Sequence, residues 1–199
     1  MGYRSTRNKP AVEQFLGDLH THMEFIKQIH LITVEKLRMG PRAQFAKAGI
    51  KPTKTAGIVV KKRRLYFANT VVILQQPDLL IRIFHESGKM KIPLSIEAMR
   101  VVSEFVHLVD DTIVRDPESI ALFKKILALS FWEFNVLRIM LFTGILQKFI
   151  PEFGQIINKI QYNQYHQFPV DIHSIRCVQV LNSFRDKADD PMKHLYHSV

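Results

Sequence analysis

Nine histidines and one cysteine are the side chains of this 199-residue chain best suited to metal or nucleophile chemistry, and their spacing limits what they could do. His20 and His22 are two apart in a stretch of helical period, so they point in different directions and cannot share an ion. His194 and His197 share a face at three-residue spacing, but no third ligand accompanies them, and a usable metal site wants three or more protein ligands. His85 and His107 fall on separate helices and read as structural or surface histidines. Cys177 lies among Ile175, Val178 and Val180, where a buried, inert thiol is expected rather than a reactive one. Asp110-Asp111 and Asp189-Asp190 are adjacent carboxylates, which suit solvated helix ends better than a pair held across a cleft.

Phosphate-cradling loops are missing from the sequence, which has neither a Gly-rich Walker-type loop nor a G-x-G-x-x-G following a strand. It also lacks a Gly-Ser pair followed by Asp-x-Asp. Nucleotidyl transfer needs that pattern because two carboxylates must hold the magnesium that carries the triphosphate. Transfer chemistry is therefore not expected of these residues by themselves.

The elements that would position any site are mostly helical. Val12, Phe15, Leu16, Leu19, Met23, Ile26, Ile29, Val34 and Leu37 recur at three- and four-residue steps, which predicts a long amphipathic helix stopped by Gly40-Pro41. Residues 40–56 read as a loop. Gly57-Ile58-Val59-Val60 and Leu65-Tyr66-Phe67, on either side of Lys61-Lys62-Arg63-Arg64, predict a short hairpin whose turn lacks the usual Asn-Gly pair. Pro77 is expected to open a helix that Gly88 ends, Ser95 to cap a helix over Ile96 to Val109, and Asp116-Pro117 to open another over Glu118 to Leu129. Asp190-Pro191 repeats that signal near the end of the sequence. Phe131 to Phe142, Phe149 to Ile160 and Val170 to Phe184 supply further helical stretches. The fold class expected is mainly α, a bundle-like helical domain with one small β-hairpin.

Charge is placed unevenly along the chain. Residues 1–66 hold 14 Lys/Arg against 4 Asp/Glu, whereas residues 67–199 hold 14 of each, so the whole net charge of +10 comes from the first third. Such asymmetry can mark a surface for RNA or an acidic protein, with a solvated lysine-rich loop as the plainer reading. No RNA-binding aromatic motif or zinc-finger spacing accompanies it, so nucleic acid is not the expected partner. The most apolar stretch, Val136 to Ile150, is interrupted by Arg138, Gln147 and Lys148 and falls short of the roughly 18 to 20 apolar residues that span a bilayer. No membrane partner is expected. One cysteine and the lack of a charged-then-apolar leader after Met1 point to a cytoplasmic protein.

Several runs together resemble a known family. Pro77 to Phe84, Leu94 to Arg100, His107 to Asp111 and Arg115-Asp116-Pro117 resemble the helical region after the transferase domain of bacterial PII-protein uridylyltransferase/uridylyl-removing enzymes. Gly144-Ile145-Leu146, Phe149 to Ile156, Gln161-Tyr162, Tyr165-His166 and Val170-Asp171-Ile172-His173-Ser174 are similar, in order and spacing, to that family's entry into its HD-type phosphohydrolase domain. The resemblance covers residues 57–199.

It implies a domain-connecting piece of a bifunctional enzyme of nitrogen signalling. Residues 1–56 would form an N-terminal helix and basic loop, 57–160 a helical linker domain with a short hairpin, and 161–199 the start of the hydrolase domain. It further implies that His173 matches the first metal ligand of the hydrolase site, whose ion in the parent family is a divalent Mg or Mn. The other ligands, a His-Asp doublet and a later aspartate, have no counterpart in this sequence, so no cofactor and no catalysis are expected of the chain alone. Ile172 departs from the pattern where an acidic residue is expected, which puts a supporting role at that place in doubt. The partner implied is the PII signal protein, through the parent enzyme. Self-association through an uncovered apolar surface on Val170 to Phe184 is a further expectation.

Overall fold

A computed structural model describes residues 2–6, 10–38, 49–130, 134–160 and 168–185. The expected stop at Gly40-Pro41, much of the 40–56 loop, Phe131, Gln161-Tyr162, Tyr165-His166, Asp189-Asp190, the Asp190-Pro191 cap, His194 and His197 lie outside the described residues. The chain divides into two compact units, the first formed by Met1–Lys47 with Glu152–Ser174, the second by Ala48–Pro151 with Ile175–Val199.

In the first unit, helix α1 spans Ala11–Arg38, close to the Val12 to Leu37 read from the periodicity. Its start is tied down locally. Ala11 N–H donates to Ser5 Oγ at 3.1 Å, Tyr3 donates its hydroxyl to Asp18 Oδ2 at 2.8 Å, and the Tyr3 ring meets Phe15 edge-on at 5.7 Å.

The second unit opens with a three-stranded antiparallel sheet, β1 (Lys51–Pro52), β2 (Ile58–Lys61) and β3 (Arg64–Phe67), in that order. The hairpin is as expected, with Val60 opposite Leu65 and Lys61 opposite Arg64. Strand β1 corrects the reading of 40–56 as loop throughout: Lys51 pairs with Val60 and Pro52 with Val59. Two residues paired through one edge leave little sequence signal, and a proline is tolerated only because β1 is an outer strand. The turn residues Lys62 and Arg63 both have positive φ, 49° and 57°. A two-residue hairpin loop of the mirror-image type demands this, and side chains other than Gly, Asn or Asp adopt it at a cost of about 1–2 kcal/mol per residue. On its other side β3 meets the segment before the next long helix, where Leu65 N–H donates to Pro93 O at 3.0 Å and Ser95 N–H to Leu65 O at 2.9 Å.

A short helix α2 (Val71–Gln75) leads to α3 (Leu79–Met90), the helix at the centre of this unit. Pro77 does not open α3 but stands two residues before it, its carbonyl accepting from Leu80 N–H at 3.0 Å. Gly88 does not end it either. It is buried within the last turns, where an added Cβ would come within 3.0 Å of Leu129 Cβ and 3.3 Å of Val136 Cγ2. Gly88 therefore serves close packing, and Lys91, at φ 53°, is the left-handed residue that closes the helix.

Helix α4 (Ile96–Phe105) is capped as expected, Ser95 Oγ accepting from Ala98 N–H at 3.0 Å, but it tightens into a 3-10 turn over Val106–Leu108 instead of running to Val109. Asp110 accepts from the amides of Thr112 and Ile113 at 3.0 and 3.2 Å and caps α5 (Asp111–Arg115), so that carboxylate is a helix cap. Asp116 caps α6 (Pro117–Ala128) by accepting from Ser119 N–H at 2.8 Å, with Pro117 in the first turn. Helix α7 (Val136–Thr143) starts at the Asn135 cap, later than read, and closes on Gly144 at φ 85°. The stretch from Phe149 to Ile160 is not one helix. It is α8 (Leu146–Phe149) and α9 (Phe153–Ile156), parted at Ile150-Pro151 because proline cannot continue the first ladder.

The last described helix, α10 (Val170–Arg185), agrees with the reading of Val170 to Phe184. The core of the second unit sits around α3, whose Leu79, Leu80, Ile81, Ile83 and Phe84 are all at most 2% exposed and which packs against α6 and α7. Asn182 on α10 donates to Leu127 O and Ser130 O at 2.7 and 2.9 Å, satisfying carbonyls at the end of α6. The architecture is mainly α with one small sheet. No described helix is long and apolar enough to cross a membrane.

Candidate functional site

His173 stands in the first turn of α10, with its backbone N–H donated to Pro169 O at 2.9 Å and its side chain exposed. What fixes this turn is the preceding acid. Asp171 is 2% exposed, and its carboxylate accepts from Asn158 N–H at 3.0 Å and from Ile172 N–H at 2.7 Å. The backbone adds Val170 N–H donated to Lys159 O at 2.9 Å. The start of α10 is thus bonded to the 158–159 turn from both directions.

Asn158 also faces α1. Its side-chain amide donates to Thr21 Oγ1 at 2.8 Å, its Oδ1 lies 2.9 Å from His20 Nδ1, and its φ of 54° is left-handed. Asparagine reaches that conformation more readily than other side chains. Gly17 allows the approach, because a Cβ there would sit 3.1 Å from Asn158 O. One residue with an uncommon backbone angle therefore joins the middle of α1 to the turn that presents His173. Sequence reasoning missed it, and its only signal was the Asn-Lys pair after an apolar stretch.

The remaining sequence candidates do not gather around His173. His20 is engaged with Asn158, while His22 Nδ1 contacts Asp18 O at 2.7 Å on its own helix, so the two point apart as expected. His107 contacts Glu104 O at 2.9 Å and stacks on Phe105. His85 is half-buried in α3. Burial lowers its pKa from the ordinary 6.5, the cations Lys89, Lys125 and Arg82 push the same way, and Glu86 opposes them. Asp111 is engaged with Arg115 at 3.0 Å.

Cys177 corrects the expectation of a buried thiol. It is exposed, because within the second unit the face of α10 that turns inward carries Ile175, Gln179 and Asn182 at four- and three-residue steps. Val180 and Leu181 on the same helix are 45% and 51% exposed. Among the described residues no three His, Cys, Asp or Glu side chains come together to hold a metal ion. One exposed imidazole does not fit a divalent ion by itself, since such sites take three or more protein ligands.

Comparison with curated proteins finds relatives along most of the chain. The chain is 25% identical over 185 residues to the bifunctional uridylyltransferase/uridylyl-removing enzyme of Zymomonas mobilis and 29% identical over 192 residues to that of Cereibacter sphaeroides. Each match covers 91% of this chain but only 20% of the relative, so the chain spans about a fifth of the length of these curated proteins. No family model matches, and no solved structure matches. Over nine-tenths of its residues the chain is thus similar to about one fifth of two bifunctional uridylyltransferase/uridylyl-removing enzymes.

Proposed function

We propose that this chain is the domain-connecting helical region of a PII uridylyltransferase/uridylyl-removing enzyme of nitrogen signalling, together with the opening helix of its HD-type hydrolase domain. Its role is to hold the two catalytic halves in a fixed relation, and it is not catalytic by itself. The observation that carries this reading is the pair of alignments over 91% of the chain, which take in the segment Val170-Asp171-Ile172-His173. The geometry of that segment is consistent with it: a buried Asp171 and the Asn158 turn hold the backbone of α10 while leaving the His173 imidazole outward.

In the whole enzyme His173 would be one ligand of the divalent Mg or Mn ion of the hydrolase half, and the other ligands would come from residues this sequence does not contain. A bound ion of that kind supplies an activated water for hydrolysis. This chain's own contribution is the placement of one imidazole on a turn fixed by Asp171 and Asn158. The PII protein is then a partner of the complete cytoplasmic enzyme.

The test is a segment exchange. The matching stretch of the Cereibacter sphaeroides enzyme is replaced by this chain, and uridylyl transfer to PII and release of UMP from uridylylated PII are both measured. Both activities are expected to persist in a chimera that melts cooperatively. Loss of both from a chimera that still melts cooperatively contradicts the assignment.

A further inference from the structure

The hairpin region of the second unit carries charge of one sign only. From residue 48 to residue 67 the chain has six cations, Lys51, Lys54, Lys61, Lys62, Arg63 and Arg64, and no Asp or Glu. The register sorts the strand residues into two faces. Ile58 and Leu65, at 1% and 0% exposure, turn into the core, while Val59 pairs with Tyr66 and Lys61 with Arg64 on the opposite face. Pro52 joins that second face by pairing with Val59. The Arg64 guanidinium reaches Leu94 O at 3.3 Å, so it is anchored there along the sheet. The outcome is a short sheet face with a half-buried tyrosine and valine at its centre and cations at its turn end.

The turn adds a second observation. Lys62 and Arg63 occupy left-handed positions that Asn-Gly would fill without strain, so two cations stand at the tip where the backbone alone would favour other residues. We infer that this hairpin face binds single-stranded nucleic acid, with the turn cations on phosphates and Tyr66 offering a ring against a base. An acidic peptide fits less well. It would gain from the charges but not from the ring, and addition as a further strand is disfavoured because Pro52 lies on the short outer strand β1. The inference is independent of the uridylyl-enzyme reading.

The experiment compares the full chain with the Lys62→Asn/Arg63→Gly variant, which removes two charges and installs the preferred turn residues, so the fold is expected to be kept or made firmer. Binding of a fluorescent oligo-U is followed by anisotropy across a salt series. Each phosphate contact contributes about 0.7 to the salt slope, so the variant should lose about 1.4 in slope and, in about 0.1 M salt, on the order of 25-fold in affinity. Unchanged slope and affinity in a variant that melts no lower than the parent overturns the proposal. Poly-glutamate that displaces oligo-U at equal charge concentration also overturns it, in favour of an acidic protein.

Discussion

Helices α1 and α3 carry apolar residues at the same helical period, yet they end in opposite surroundings. On α3, Leu79, Leu80, Ile81, Ile83 and Phe84 are at most 2% exposed, whereas on α1 Val12, Phe15, Leu19, Met23, Phe25, Ile26 and Ile29 are between 38% and 65% exposed. Within its own unit α1 instead turns Gly17, His20 and Thr21 toward Asn158. Periodicity determines that a helix forms with an apolar face; it does not determine what covers that face. Burial of a large apolar side chain stabilises by about 1.5–3 kcal/mol, so α3 contributes to the stability of its unit in a way that the exposed stripe of α1 does not.

The sharpest way to break this contrast is to shorten one side chain on each helix. Phe84→Ala should destabilise by about 3–5 kcal/mol, from lost burial and the cavity left behind, while Phe25→Ala should stay within about 0.5 kcal/mol. Urea denaturation followed by circular dichroism measures both, and similar losses at the two positions would remove the distinction.

A smaller effect is expected from adding one carbon. Gly88→Ala places a Cβ at 3.0 Å from Leu129 Cβ, between packed helices, and should cost about 1–3 kcal/mol. Gly154→Ala meets nothing within 4 Å and should be neutral or slightly stabilising in the same denaturation measurement.

These contrasts also explain what the sequence made legible. The caps at Ser95 and Asp116 were readable because a side-chain acceptor followed by helix formers acts within three residues, and the structure places both bonds where they were expected. The hairpin was readable from β-branched and aromatic runs on either side of a polar turn. Interactions between distant residues were not. Gly88 looks like a terminator until Leu129 and Val136 are seen beside it, and Cys177 looks buried until Ile175, Gln179 and Asn182 are seen to take the inward face. Of the candidate site, His173 was suggested by resemblance alone, and the Asn158–Asp171 support was invisible because it depends on a left-handed asparagine and a bond across 13 residues.

Removing a cap tests the local side of the comparison. Asp116→Ala should cost about 1 kcal/mol through the lost bond to Ser119 N–H, read as a lower urea midpoint with an unchanged slope. The smallest expected effect is one of pH. Burial lowers the His85 pKa in the folded chain, so below the ordinary value of 6.5 the unfolded chain binds the proton more readily and stability falls as pH drops through that range. His85→Gln should make the acid-side fall in the denaturation midpoint shallower; an identical pH profile in the variant would mean that His85 titrates alike in both states.

The measurement bearing most directly on the central claim uses His173→Ala in the exchanged enzyme. Release of UMP from uridylylated PII should fall by more than about 100-fold, as loss of a metal ligand demands, while uridylyl transfer to PII stays within about twofold. Undiminished release, or an equal fall in both activities, would contradict the placing of His173 in the hydrolase half.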